Sequence, residues 1–195
     1  MCVALVHTLF VVQVFECARA IMRVTALANL NRVEEGRVVM GSVGAMLPII
    51  QSMTRFQHNN TAFDILTVEA ARAAAELLFF EGKLAECWGM FDAAVKGDDG
   101  LRYDEPWGVL VPTRHSYAAL LLDGGGEKGR MKAVELYKED LKRNPRNVWS
   151  AAGLVRAGAD EQGEWGRVIE EQRKGEFSDV EVTTSCACSR GVLKS

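Results

Sequence analysis

The sequence predicts an all-α fold, an α-solenoid of antiparallel helical hairpins, on three observations. Segment 114–147 carries Leu120 and Leu121, then Ala133, Tyr137 and Leu141, then Pro145, at the offsets of a helix–turn–helix unit of about 34 residues. Segment 68–101 repeats the alternation of small and large residues with Ala75, Cys87, Phe91 and Ala94. Only 4 prolines occur in 195 residues, and abundant Ala, Leu, Val, Glu and Arg favour helix over strand, although 18 glycines weaken several of the helices.

The elements follow in chain order. Residues 1–16 form an apolar N-terminal segment that includes Val3, Leu5, Leu9, Phe10, Val12, Val14 and Phe15. A first unit, 17–50, places Ala20, Val24, Leu27, Val33, Gly36, Met40, Val43 and Pro48 at the repeat positions. The second, 68–101, puts Gly82 in its turn and Leu84 just after it. Residues 102–113 are an insert whose Pro106 and Pro112 forbid a continuous helix. In the third unit, 114–147, Ala133 lets two helices approach closely, Tyr137 and Leu141 continue the buried stripe, and Pro145 stops the second helix. A fourth unit, 148–175, draws on Trp149, Gly153, Leu154, Trp165 and Ile169. Ala75 is expected to face Cys87, and Leu121 to face Ala133. Residues 176–195 have neither a helical period nor enough apolar residues for a core and read as a flexible C-terminal tail.

Composition sets the function classes. The chain is 48% hydrophobic and 25% charged, ordinary globular material able to bury a core. Its 23 basic and 26 acidic residues give a formal charge of −3, and no basic stripe interleaved with aromatics appears, so nucleic acid is not an expected partner.

Three phrases, NNTAFDIL (59–66), LRYDEP (101–106) and YKEDLKRNPRNVWSAAGL (137–154), together with the hairpin spacing, resemble the tetratricopeptide repeat (TPR) superfamily. Within it they resemble the C-terminal portion of a largely uncharacterised subgroup of TPR-domain proteins, over roughly residues 17–175. Where that subgroup reads DEPPxWYYPxR, this chain has DEPWGVLVPTR, without one proline and the aromatic pair. The resemblance implies a right-handed stack of hairpins and a non-enzymatic role in binding a peptide or partner domain. It implies no catalytic residues and no cofactor. It also implies further repeats upstream, so residues 1–16 are expected to be covered by such repeats or by a second copy of the chain.

The groove lined by the first helices is the expected binding surface. Repeats that clamp a terminal carboxylate place Lys and Asn in that groove, whereas the corresponding positions here hold Ile21 and Thr25, Arg72 and Glu76, and Ala118 and Leu122. The candidate partner-binding residues that remain are Glu69, Arg72, Glu76 and Phe79 in one unit and His115 in the next. Arg72 and Glu76 read either as a solvated pair four residues apart or as partner contacts. In the insert, Tyr103 and Trp107 are amphipathic rings of the kind enriched at binding hot spots, and equally suit a cap over the preceding hairpin. The adjacent Asp104 and Glu105 do not by themselves make an acid/base pair, which needs carboxylates converging across a cleft.

The 5 cysteines are an odd number, which argues against a disulfide scaffold and for a reducing compartment. Cys87 falls at a small core position. Cys186 and Cys188 form a C-x-C pair in the tail, half of a zinc site at most. The alternative function is therefore a redox or metal-associated protein using that tail. GGGEKG (124–129) lacks the order of a phosphate loop and reads as a helix–helix turn. The apolar run before Ala18-Arg19-Ala20 imitates a signal peptide but has no preceding Lys or Arg, and it is too short to span a membrane. The expected location is cytoplasmic, with secretion as the alternative.

Overall fold

A computed structural model of the chain describes residues 2–53, 56–104, 108–109, 111–160 and 162–174. The described residues are predominantly α-helical. They divide into two compact units, Met1–Thr113 and Arg114–Ser195.

The first unit holds α1 (Cys2–Asn29), α2 (Val33–Ser52), the short strands β1 (Phe56–Gln57) and β2 (Asn60–Thr61), α3 (Ala62–Phe80) and α4 (Leu84–Gly100). β1 and β2 pair antiparallel as a minimal hairpin. α3 packs against α1, α2 and α4, and α1 packs against α2. The core consists of Cys17, Ile21, Val24 and Ala28 from α1, Val43 and Ile50 from α2, and Leu66, Ala70, Ala73 and Leu77 from α3. The second unit holds α5 (Thr113–Gly124, whose first residue closes the first unit), α6 (Gly126–Arg143), α7 (Val148–Arg156) and α8 (Glu164–Arg173). α5 and α6 run antiparallel: the end of α5 at Leu121 lies against Gly129, and His115 near its start meets Asp140 near the end of α6.

Three turns, after α1, α3 and α7, share one geometry. Asn31, Gly82 and Gly158 take left-handed φ values of 59°, 76° and 68°. In each, the next amide reaches back to the helix: Arg32 to the Leu27 carbonyl, Lys83 to Leu78 and Ala159 to Leu154, at 2.8, 3.0 and 2.9 Å. This Schellman cap satisfies carbonyls that the helix end leaves open and reverses the chain in a few residues. Gly82 needs no side-chain accommodation at that φ, and Asn31 is among the residues that tolerate it.

Burial follows the repeat positions. Gly36, Cys87 and Ala133 are buried, as are Val24, Ala75 and Leu121, and so are Val43, Ala94 and Asp140. Tyr137 lies fully buried over Gly153, where an added Cβ would collide with the ring, so glycine is what lets α7 close onto α6.

Three boundaries differ from the expectation. α1 is continuous through residues 16 and 17, so the apolar segment is the first half of a 28-residue helix rather than a separate piece. α2 continues past Pro48 to Ser52. In helix geometry a proline ring crowds the carbonyl four residues earlier, here that of Gly44, and α2 accommodates Pro48 without ending there. α3 also begins ahead of residue 68, where Thr61 caps it by accepting from the Asp64 amide at 3.0 Å. On α1, Phe15 and Met22 remain 70% and 61% exposed.

Candidate binding surface

The α3 residues offered as groove contacts build an internal tie. Arg72 donates through Nη1 to Glu76 Oε1 at 2.6 Å, and through Nε and Nη2 to Glu69 Oε2 at 3.0 and 2.6 Å. Asn29 of α1 donates to the other Glu76 oxygen at 3.2 Å and to the Thr25 carbonyl at 2.9 Å. Arg72 is 2% exposed and Glu76 fully buried, so they are not a solvated pair: α1 lies over them, and small neighbours such as Ala73 let it approach. Burial pushes the Glu76 carboxyl above its ordinary range, against the opposing pull of Arg72 and Asn29. Glu69 and Phe79 are half-buried, and the Phe79 ring packs on Phe80 and Trp88.

His115 is likewise internal, 1% exposed. Its Nε2 lies 3.1 Å from Asp140 Oδ2, 3.1 Å from Ser150 Oγ and 3.2 Å from Asn147 Nδ2. Ser150 and Asn147 also donate to Asp140 Oδ2, at 2.6 and 3.1 Å, and Asn144 to Oδ1 at 3.0 Å. Burial works against ionising Asp140, but hydrogen bonds from His115, Ser150 and Asn144 outweigh it and hold the carboxyl below its ordinary range. Although Ser, His and Asp meet, they do not form a nucleophilic relay: serine and aspartate converge on the same imidazole nitrogen, whereas a relay uses opposite ones. The cluster joins α5, α6 and α7. Asn147 in addition caps α7 by accepting from the Trp149 amide at 3.1 Å. Sequence reasoning missed Asp140, Asn144, Asn147 and Ser150; the available signal was the four-residue spacing of Asp140 and Asn144 at the end of α6 and the three-residue spacing of Asn147 and Ser150 at the start of α7, all within the phrase 137–154.

The open surface lies at the start of α3. Asn60, buried, donates to the Arg102 carbonyl at 2.9 Å and accepts from the Arg102 amide at 2.8 Å. Asn59 donates through its side chain to the Tyr103 carbonyl at 2.8 Å and through its amide to Asp104 Oδ2 at 3.2 Å. The phrases NNTAFDIL and LRYDEP, far apart in sequence, are thus hydrogen-bonded to each other. Beside this seam opens a cavity of about 450 Å³ whose lining includes Phe63, Val68, Lys96, Gly97, Gly100 and Arg102. Gly97 is required by close packing, since a Cβ there would fall 2.9 Å from Val68 Cγ2. Tyr103, next in the chain, is 65% exposed. Trp107 lies outside the described residues.

Cys17 and Cys87 are free and buried. Burial raises both thiols, Cys87 to about 12 with Glu76 adding to the effect, so neither is a thiolate at neutral pH. Cys186 and Cys188 lie outside the described residues. Among the described residues no group of three or more His, Cys, Asp or Glu could hold a metal ion, and no helix is long and apolar enough to cross a membrane. Comparison with known proteins finds no matching family model, no matching curated protein and no matching solved structure.

Proposed function

We propose that the chain is a non-enzymatic polypeptide-binding module, a right-handed α-solenoid of TPR-like hairpins that holds a peptide or partner domain. Three features support the architecture: the shared Schellman turns, the burial of equivalent repeat positions, and the packing of α3 on both helices of the preceding hairpin. The observation that carries the function is the cavity beside α3, whose wall is pinned by the Asn60–Arg102 bonds while Tyr103 stands exposed next to it. A preformed concave surface with apolar and polar lining and an aromatic neighbour suits recognition of a peptide segment. The buried ion and hydrogen-bond clusters hold hairpins together and leave this surface to do the binding.

An array of immobilised dodecapeptides probed with the intact chain tests the reading. A subset sharing a sequence feature is expected to bind, and binding is expected to vanish when the chain is heat-unfolded. No selective binding, together with stoichiometric metal or thiol exchange at Cys186 and Cys188, would replace this reading with the redox or metal-associated alternative.

A further inference from the structure

Resting on the binding-module reading, we propose that the cavity beside α3 recognises an extended acidic peptide segment with one apolar side chain among its carboxylates. Phe63, Val68 and Leu101 supply apolar lining, and at Gly100, where an added Cβ would meet nothing within 4 Å, the end of α4 presents no side chain and a peptide backbone can approach. Lys96 and Arg102 also line the cavity, both exposed, and neither side chain has an ion-pair or hydrogen-bond partner among the described residues.

Within the lining the two cations outnumber the single carboxylate. Asp64, the one carboxylate lining the cavity, accepts from Thr61 Oγ1 at 2.6 Å, Asp104 accepts from the Asn59 amide, and Asp98 accepts from the Thr113 amide at 3.1 Å. Two cations against one carboxylate, beside mixed apolar and polar lining, complement a carboxylate-rich segment and disfavour a basic one. The position is distinct from a groove built on Arg72 and Glu76, which are buried.

Fluorescence anisotropy of the intact chain with fluorescein-labelled, C-terminally amidated Glu-Asp-Leu-Glu-Asp tests this, with Gln-Asn-Leu-Gln-Asn and Lys-Lys-Leu-Lys-Lys as counterparts. Amidation confines recognition to side-chain carboxylates. The acidic probe is expected to bind about tenfold more tightly than the neutral one and to weaken with added salt. K96E/R102E should weaken it by about tenfold or more with an unchanged circular dichroism spectrum, whereas D64N should leave it equal or tighter. Replacing Leu by Gly in the probe should also weaken binding. Equal binding of all three probes, or K96E/R102E binding like the parent, overturns the acidic assignment; if array peptides still bind selectively, the module reading survives, and if none does, both fall.

Discussion

Tyr137 and Gly153 show how one contact sets the spacing of two hairpins. The ring is fully buried and occupies the space a side chain at 153 would need. Tyr137→Ala should therefore cost about 3 kcal/mol or more, as truncation of a buried aromatic does, while Lys138→Ala on the exposed side should stay within about 0.5 kcal/mol. Gly153→Ala should cost about 2 kcal/mol by overpacking the same site. Urea unfolding of the three variants checks this, and equal effects at 137 and 138 would refute the register. Tyr137 was legible in the sequence because a large residue four positions after a small one marks a buried stripe. Asp140 was not, because Lys138, Glu139 and Lys142 around it read as a solvated face. Arg72 and Glu76 were misread for a related reason: their spacing is local, but their burial depends on α1, a tertiary neighbour that spacing does not reveal.

Among the elements, α3 depends most visibly on what precedes it. Thr61 caps the helix, and Asn60, one residue earlier, fastens the loop of residues 101–104. Thr61→Ala should cost about 1 kcal/mol, the usual worth of an N-cap. Asn60→Ala should cost more, about 2 kcal/mol, because it leaves both backbone groups of Arg102 without these partners. Thermal or urea unfolding followed by circular dichroism measures both; an unchanged midpoint for Asn60→Ala would mean that the seam does not hold the loop. Helices and their pairing were readable from spacing and from Gly82, yet boundaries were not. α3 starts early because its start is set by the β1–β2 turn and the Thr61 cap, and α2 runs on past a proline that sequence rules treat as a stop.

Across the whole molecule, the two units should respond differently to acid. Asp140 has a folded pKa below its unfolded value, so its stabilising contribution to the second unit is present above about pH 4 and is lost as pH falls through the folded value. Glu127 and Glu139, lowered by Arg130 and Lys142, act in the same direction in that unit, more weakly because they are solvent-screened. In the first unit Glu76 has a raised pKa, so its contribution is fully present at low pH and is lost as pH rises through the folded value, which offsets the acid loss from Glu35 and Glu81. Fluorescence of single-tryptophan variants retaining Trp149 or Trp88 should show the second unit unfolding at higher pH than the first; coincident transitions would contradict this. The claim that the folded hairpins recognise a polypeptide is tested most directly by backbone-amide NMR of the intact chain titrated with a peptide selected on the array. The account predicts saturable shifts at Thr67, Lys96, Gly97, Gly100 and Arg102, with the amides of His115, Asp140 and Ser150 unmoved. Shifts centred on His115, Asp140 and Ser150, or none at any peptide concentration, would contradict it.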